Sequence, residues 1–600
     1  MKLSTYVYEG NQSWGFVLPN PHDEGKDWIF NPAKVERYIK RASTAKTTPL
    51  RYSLPEFLGK FTWPDTLMET LRMGPDAMDI LHKLCHYTEG FLKFGDRFAI
   101  QFSGIAVEKV KILAPLPHTR LLLGLVSNCP SFWRNNSSFK HVSMVPLVHQ
   151  RPMSSLIHPG EVLGSAGGNV ELGVVIGKEG KNVPVDKAYE YIAGYTVIID
   201  TESKYPWMDF EGKHFTDSSE LAHHTTWDWY DLCCTSFLGK KSDHFCAMGP
   251  YIVTPEEIGN HYDLITQTGH DGIMRDRGHT GAFNTGIERI ISWYSSVATL
   301  KPGDVFHLGT TGTDGLFVEK GMHHEGMTMQ SEIEKIGLLK AVCQKTARTI
   351  DSQGPEMTPP AVKDFKKLGK DVIPSAEEWS LDKINNVWMC ILNNKNCQET
   401  DNIAPAVSPR PFNGPNSCAG WTGNPLVINA RATSLSISVQ LGMVMKTFAK
   451  QVKGEDIKDY ILGYTPVISV ADNSMWDEFF THAAPPVNGR IVNTYKHWGD
   501  GNNVVTTPVL LDSTKDLKMK LTIEGYGEVE GSTAEYNVGP ERTIEYMSGS
   551  ITLFPGDLIS LGRICQTIEI PAGADIDGKK ITAEIEGLGT VTAVLQREKI

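Results

Sequence analysis

Asn169, Glu171 and Asp200 are polar residues beside apolar runs, where side chains of their type could bind a cation. Asn169 and Glu171 lie two residues apart in NVELGVVIG, so a strand would place both side chains on one face. Asp200 ends the β-branched run GYTVIID. Carboxylate and amide oxygens are ligands of hard divalent cations. Residue type alone equally allows Glu171 to be a paired strand carboxylate and Asp200 to be a turn former.

Lysines and histidines further along the chain are candidates for charge stabilisation and proton transfer. Lys240 and Lys241 precede a Ser-Asp pair, a pattern that also fits lysines in solvent. The stretch 201–239 carries three histidines among aromatic residues, and Glu220 and His224 would share one face if this stretch is helical. For each of these histidines, a structural or exposed role is the simpler interpretation.

The elements that must position these residues occur twice in the chain. Four segments recur in the same order, at 171–178 and 440–447, 191–207 and 460–476, 300–309 and 553–562, and 332–337 and 584–589. The second pair reads YIAGYTVIIDTESKYPW and YILGYTPVISVADNSMW. An internal repeat of this kind predicts two copies of one domain.

Both copies have the composition of strands. GVVIG and GYTVIID are short β-branched runs, PGD is a turn signal, and EIEKIG alternates as a strand does. We therefore expect β-dominated cores. The apolar spacing in WPDTLMETLRMGPDAMDILHKL predicts one or two amphipathic helices in a separate N-terminal unit, and residues 341–395 have the Pro, Gly and Lys content of a connector that carries a helix.

Length and charge narrow the classes of protein. A chain of 600 residues exceeds one compact core, so two or more domains are expected. A net charge of −12 disfavours nucleic acid as a partner, and no apolar run is long enough to cross a membrane. The ten cysteines show no CxxC spacing, which favours buried thiols, and the N-terminus lacks a signal-peptide pattern. We expect a cytoplasmic protein.

Four pieces of the first copy together resemble the fumarylacetoacetate hydrolase superfamily: NVELGVVIGKEG, DKAYEYIAGYTVIIDTE, GKKSDHFCAMGPYIVTPEEI and SSVATLKPGDVFHLGTTGTDG. The resemblance implies a β-dominated α+β fold with two mixed β-roll or barrel domains in tandem and a small N-terminal α/β cap. The expected boundaries are 1–117 for the cap, 118–340 for the catalytic domain, 341–395 for the connector and 396–600 for a degenerate second domain.

The resemblance also implies an enzyme that binds Mg²⁺ or Mn²⁺ and acts on a small keto acid or diketone through a stabilised enolate. By position, Glu171, Asp200 and Asn169 match the metal ligands, although Asn169 stands where the family has a carboxylate. Lys240 matches the family's active-site lysine, with Lys241 as its rival.

Two further matches and one departure complete the expected site. Gly309 and Thr310 match a Gly-Thr loop that could bind a substrate carboxylate, or could form a plain turn. The His-x-x-Glu dyad that activates water in small family members is absent, since Pro130 and Trp133 stand in its place. His141, just downstream, is our candidate for a replacement base, and the alternatives are His214, His223 and His224 of the stretch 201–239.

The second copy has Ser438, Gln440 and Ser469 at the metal positions, so no carboxylate remains there. We expect it to pack against the first copy as an intramolecular pseudo-dimer, with homo-oligomers left open. Hydrolytic C–C cleavage is the leading functional hypothesis. A decarboxylase or keto–enol isomerase is the alternative within the same substrate class, and a non-catalytic ligand- or partner-binding descendant is the alternative outside it.

Overall fold

A computed structural model describes most of the chain. The described residues are 1–44, 55–125, 128–129, 146, 148–164, 168–201, 240–311, 326–343, 372–391, 393–395, 409, 411–474, 495–564 and 566–599.

Within its described ranges, 1–44 and 55–117, the N-terminal unit combines strands with four helices. Its elements are β1 (Lys2–Tyr8), β2 (Asn11–Pro19), β3 (Asp27–Phe30), α1 (Pro32–Thr44), α2 (Leu67–Arg72), α3 (Pro75–Phe94), α4 (Arg97–Ser103), β4 (Gly104–Ala106) and β5 (Lys111–Ile112). Helices α2 and α3 confirm the amphipathic helices predicted from sequence. On α3, Ala77, Ile80, Leu81 and Leu84 are buried, which is the spacing of one helical face.

The first copy supplies one large sheet and one small sheet. Its elements are β6 (Leu122–Leu125), β7 (Val148–Arg151), β8 (Leu156–Ile157), β9 (Val162–Leu163), β10 (Asn169–Ile176), β11 (Ile192–Asp200), β12 (Cys246–Val253), α5 (Pro255–Ile258), β13 (Ile265–His270), β14 (Ile273–His279), α6 (Ile287–Val297), β15 (Val305–Thr310), β16 (Thr328–Ile333) and β17 (Gly337–Cys343). The large sheet runs β4-β3-β2-β1-β12-β11-β10-β15-β6-β7, and the small one runs β14-β13-β16-β17-β9. Because β1 pairs with β12, the N-terminal strands extend the sheet of the first copy instead of forming a separate one.

The second copy repeats this arrangement. Its elements are β18 (Val387–Cys390), β19 (Pro411–Gly414), β20 (Ala419–Trp421), β21 (Pro425–Ile428), β22 (Leu435–Met445), β23 (Ile461–Asp472), β24 (Asn503–Val505), β25 (Lys518–Ile523), β26 (Gly527–Ser532), α7 (Pro540–Ser550), β27 (Leu558–Arg563), β28 (Ile568–Ile570), β29 (Lys580–Ile585) and β30 (Gly589–Arg597). Strands β22 and β27 pair as β10 and β15 do. Strand β18 lies within the expected connector, yet it pairs with β19 and β27 of the second copy.

One local prediction was wrong. The alternating segment EIEKIG does not form a single strand, because β16 ends at Ile333 and β17 begins at Gly337. The equivalent EIEGLG also spans a hairpin, between β29 and β30. Glu334 and Lys335 are both exposed in the turn, and the isoleucines on either side of it, Ile333 and Ile336, are both buried. The short apolar–polar pattern therefore fits a hairpin as well as a strand and could not locate the reversal. The wider expectation of a β-dominated fold in two similar domains is confirmed.

The two copies share buried contacts. One hydrophobic core joins residues of the first copy, such as Val174 and Tyr294, to Phe412 and Trp498 of the second. Asp243 accepts hydrogen bonds from the Thr552 backbone N–H at 2.8 Å and from the Thr552 hydroxyl at 2.7 Å. The Lys450 ammonium lies 3.0 Å from the same carboxylate. The copies are therefore held by apolar packing and by a buried ion pair.

Among the described residues, no helix is long and apolar enough to cross a membrane. Six cysteines lie in this part of the chain, and all are unbridged and buried, as their spacing predicted: Cys85, Cys129, Cys246, Cys343, Cys390 and Cys418.

Candidate active site

The polar residues of the first copy meet on one face of the large sheet. Asn169 lies directly opposite Asp200 in the pairing of β10 with β11, and Glu171 follows Asn169 on the same face. All three side chains are buried. These strands are buried along their whole length, so their few polar residues are held in an apolar setting.

The sheet curls so that its last strand returns to this face. Strands β10, β15 and β6 lie between β11 and β7 in the sheet order. Nevertheless, the Arg151 guanidinium of β7 contacts the Asp200 carboxylate of β11. Arg151 also donates to the carbonyl oxygens of Lys240 and Thr201, at 2.7 Å for Thr201. Arg151 thereby closes the pocket.

Two cations hold the Asp200 carboxylate. Arg151 Nη2 donates to Asp200 Oδ1, and Lys240 Nζ donates to Asp200 Oδ2. Burial alone would raise the pKa of Asp200, but the charges of Arg151 and Lys240 hold that pKa well below its usual range. Asp200 is therefore an anion, and the pair of positive charges stays next to it in a medium that screens poorly.

Glu171 is joined to a histidine of β15. Its Oε2 lies 2.5 Å from His307 Nδ1 and accepts the Gly309 backbone N–H at 3.0 Å. Burial, and then the negative charge of Asp200, raise the pKa of Glu171, whereas His307 opposes the shift. The carboxylate orients the His307 ring, and no described residue forms a hydrogen bond with the Nε2 atom on the other side of the ring.

His149 of β7 faces His307, with ring centroids 5.3 Å apart. Gly124 of β6 lies opposite both residues, pairing with His307 on one side and with His149 on the other. A Cβ atom at Gly124 would overlap the two rings, so the rings can approach only because this residue is glycine. Burial, and then the charge of Arg151, lower the pKa of His149 well below its usual range, which keeps the imidazole neutral.

These donors fit a divalent cation. His149, Asp200 and His307 each offer one ligand atom, and the three atoms lie within 4.8 Å of one another. Both ring nitrogens of His149 and the Oδ1 atom of Asn169 are buried, and within the part of the chain that the structure describes they have no hydrogen-bond partner. Buried polar atoms nearly always form hydrogen bonds, so several nitrogen and oxygen atoms that lack them around one point indicate space for a ligand.

Some of the site residues predicted from sequence lie in this pocket, and others do not. Asn169, Glu171, Asp200 and Lys240 are brought together, whereas Lys241 points to the second copy, where it donates to Asn413 Oδ1 at 2.8 Å. The Gly309 amide is engaged by Glu171 instead of being left open to a substrate carboxylate. Thr310 is half-buried at the end of β15. His141, like the histidines of 201–239, lies outside the described residues.

Three residues of the pocket escaped the sequence analysis: His149, Arg151 and His307. Two signals pointed to them. In VHQR, His149 and Arg151 are two apart and so share a strand face. In the repeated segments LKPGDVFHLG and LFPGDLISLG, His307 stands where the second copy has Ser560, so this position differs in chemistry between the copies.

The second copy keeps the pocket's framework without its charges. In the equivalent strand pairing, Met389 takes the place of Gly124, Phe412 that of His149 and Ser560 that of His307. Gln440 replaces Glu171 and still contacts Ser560. A neutral amide and hydroxyl thus preserve a hydrogen bond at the place where the first copy has an ionisable pair.

Comparison with known proteins identifies two matched regions. The family model described as fumarylacetoacetate (FAA) hydrolase, C-terminal, matches residues 124–344 and 385–596. The chain is 24% identical over 283 residues to the mitochondrial oxaloacetate tautomerase of Rattus norvegicus, covering 46% of this chain and 79% of that protein. It is 32% identical over 170 residues to the maleylpyruvate hydrolase of Aquipseudomonas alcaligenes, covering 28% of this chain and 48% of that protein.

Among solved structures, the maleylpyruvate hydrolase of Sphingobium sp. SYK-6 in complex with manganese(II) and pyruvate is similar at 18% identity. That alignment covers 57% of this chain and 99% of the other, with a TM-score of 0.36.

Proposed function

Because the chain belongs to the fumarylacetoacetate hydrolase family, we propose that its first copy catalyses keto–enol tautomerisation of a small 2-oxo or 1,3-dioxo acid. The observation that carries the proposal is the buried placement of two cations, Arg151 and Lys240, on a single carboxylate in a pocket with two further histidines. Both tautomerase and hydrolase relatives are consistent with a keto-acid substrate.

Enolate formation places negative charge on an oxygen atom, and the pocket is arranged to stabilise it. Lys240 and Arg151 are fixed before the reaction by Asp200, so they need not reorganise as charge develops. Burial strengthens their attraction for that charge, since the interior screens far less than water. A divalent ion held by Asp200 and the neighbouring histidines would add Lewis-acid stabilisation of the same oxygen.

Lys240 also offers a route for the proton. Its Nζ donates to Asp200 Oδ2, so the ammonium, an acid, holds a transferable proton beside the carboxylate inside the pocket. We infer that Lys240 Nζ gives a proton to carbon 3 of the enol form and, as the resulting amine held by Asp200, takes up the proton that leaves the enol hydroxyl, so the lysine is regenerated; deuterium exchange follows the same steps in reverse. This reaction requires no activated water, which suits a chain that lacks the usual His-x-x-Glu dyad.

Hydrolytic C–C cleavage is the second candidate, and one contact favours it. The Glu171–His307 pair is a carboxylate-oriented imidazole, an arrangement that can activate water as a general base. Hydrolysis would share the enolate with tautomerisation, because the leaving group of the cleavage is itself an enolate. The two reactions differ only in what attacks or protonates the substrate.

A deuterium-exchange experiment tests the enolate directly. We expect the protein to accelerate exchange of the C3 protons of oxaloacetate or pyruvate with D₂O. Loss of the C3 proton signal in NMR measures the exchange rate. Replacing Lys240 with Met should lower the exchange rate by roughly 10²–10³-fold, the loss typical of one oxyanion donor. Product analysis with acylpyruvates separates hydrolysis from tautomerisation.

The neighbouring lysine provides the control. Lys241→Met removes a buried ammonium that contacts Gln150 O and Asn413 Oδ1, so it should change stability but not the exchange rate per folded molecule. Equal exchange by wild type and Lys240→Met, or no exchange of any 2-oxo acid by the wild type, would show the proposal to be wrong.

A further inference from the structure

His307 has one ring nitrogen satisfied and the other unsatisfied. Its Nδ1 is bonded to Glu171, which fixes the tautomer with the proton on Nδ1 and leaves the lone pair on Nε2. The Nε2 atom is buried and has no hydrogen-bond partner in the described ranges of the chain. Metal-bound histidines commonly donate their second nitrogen to a carboxylate in this way, which orients the ring and makes the ligating nitrogen more basic.

His149 supplies a second imidazole, and neither of its ring nitrogens has a hydrogen-bond partner among the described residues. Its Nε2 lies 3.9 Å from Asp200 Oδ1. The ring is buried, and an imidazole in its neutral form presents one nitrogen lone pair to the pocket. Leaving such a nitrogen without a hydrogen bond in the interior costs free energy, and a ligand that accepts its lone pair removes that cost.

The strands that hold these groups are spaced for convergence. Asp200 comes from β11, His307 from β15 and His149 from β7, and the curled sheet brings all three to one point. Gly124 leaves the space between the rings open. In the second copy all of these features change together, to Ser469, Ser560, Phe412 and Met389.

We propose that His149, Asp200 and His307 bind a divalent transition-metal ion, and that Glu171 orients His307 without contacting the ion. This inference deepens the proposed function, because the ion would share the pocket in which the enolate forms. It changes the ligand set expected from sequence, in which Asn169 and Glu171 joined Asp200. Two imidazoles and one carboxylate favour Fe²⁺, Co²⁺, Ni²⁺ or Zn²⁺ over Mg²⁺, which prefers oxygen ligands.

The charges of the pocket determine when the ion binds. Even if Asp200 and Glu171 are both ionised, their two negative charges are matched by the positive charges of Arg151 and Lys240, so a divalent cation enters a site without net negative charge. Poor screening makes this unfavourable unless an anion enters as well. A dicarboxylate such as oxalate, which mimics an enolate, should therefore tighten metal binding, and the metal should tighten oxalate binding by the same factor.

The test measures metal binding by the full-length protein after chelator treatment. Co²⁺ is titrated with and without oxalate, and its visible absorption reports coordination by nitrogen. We expect one Co²⁺ in the first copy, at least 100-fold tighter binding of Co²⁺ than of Mg²⁺, and at least tenfold tightening by oxalate. If an excess of Mg²⁺ leaves the visible absorption bands of the Co²⁺ protein unchanged, Mg²⁺ does not displace Co²⁺, which would support the proposal.

The test variants carry the residues that the second copy has at the equivalent positions. His149→Phe and His307→Ser should each weaken Co²⁺ binding at least 100-fold, and Glu171→Gln by roughly 10–100-fold, as expected for a residue that orients a ligand. His270→Phe is the matched control, because His270 is also a buried histidine but lies on β13, in the small sheet, and is not one of the proposed ligands. Its Co²⁺ affinity should be unchanged.

A second measurement on the wild type avoids reliance on folded variants. In the Co²⁺ protein, two exchangeable imidazole N–H signals should be shifted by the paramagnetic ion in proton NMR. Absence of these signals, or equal Co²⁺ affinity in wild type, His149→Phe and His307→Ser, would overturn the inference. If exchange of keto-acid protons persists in that case, the proposed function stands alone; normal metal binding without any exchange would contradict the proposed function alone.

Discussion

Gly124 leaves room for the rings of His149 and His307 to face each other, and replacing it with Ala tests whether the pocket depends on that space. The added methyl would overlap the Cε1 atoms of both rings. Carbon atoms pack at about 3.5–4.0 Å, so the rings would have to move apart by roughly an ångström or more. Both histidines are buried in a packed interior, which leaves them little room to retreat.

The expected size of the effect differs between stability and activity. Overpacking of a buried site costs about 1–3 kcal/mol, which lowers Tm by about 2–4 °C for each kcal/mol in a domain of this size. A displacement of one ångström at reacting groups costs about 10²-fold in rate. We therefore expect Gly124→Ala to remain folded at 25 °C while keto-acid proton exchange and Co²⁺ affinity fall about 100-fold.

The assay compares exchange rate per folded molecule, Co²⁺ affinity and thermal unfolding. Gly90→Ala on α3 is the control, since a Cβ atom there meets nothing within 4 Å and should raise stability by up to about 1 kcal/mol. A Gly124→Ala protein with unchanged exchange rate and Co²⁺ affinity would refute the view that the two rings must converge. A loss fully explained by unfolding would refute it as well.

Three further predictions concern the metal, the contact between copies and the division of labour. Asn169→Asp should tighten Co²⁺ or Mn²⁺ binding in calorimetry, because it places an anionic oxygen beside Asp200; weaker binding would mean that residue 169 does not face the ion. Asp243→Ala should lower the free energy of unfolding by about 3–5 kcal/mol, because Lys450 is left buried and unpaired. Burial raises the pKa of the Asp243 carboxyl, but the charge of Lys450 outweighs burial, so the folded-state pKa lies below the usual value. The stabilisation is therefore present above the unfolded pKa of about 4 and is lost as pH falls through the lower folded pKa, which acid unfolding curves would reveal. Replacing Gln440 and Ser469 with Ala should leave turnover nearly intact, whereas a chain ending near residue 345 should aggregate; a large loss of turnover in the double variant would show that the second copy takes part in the chemistry.

Several features of the fold could be predicted because they are encoded in short segments. GVVIG and GYTVIID are β-branched and became the buried strands β10 and β11. The PGD turns lie where expected, before β15 and β27. Repetition of these segments in one order predicted two similar domains, and each copy indeed forms a large and a small sheet.

The candidate site was predictable only along single strands. Alternation places Asn169 and Glu171 on one face, and this needs no knowledge of other strands. The choice between Lys240 and Lys241 was open, because adjacent residues of an irregular segment have no fixed direction. The structure directs Lys240 to Asp200 and Lys241 to the second copy.

The sequence by itself therefore determined the family, the duplication, the strand-rich class and the loss of carboxylates from the second copy. Tertiary structure alone decided that Arg151 and His149 of β7 reach Asp200 of β11, across three intervening strands. It also decided that Glu171 binds His307 and that Gly124 admits both rings. The physical reason is that strand periodicity is local, whereas strand order and the curl of a sheet depend on pairing between segments far apart in the chain.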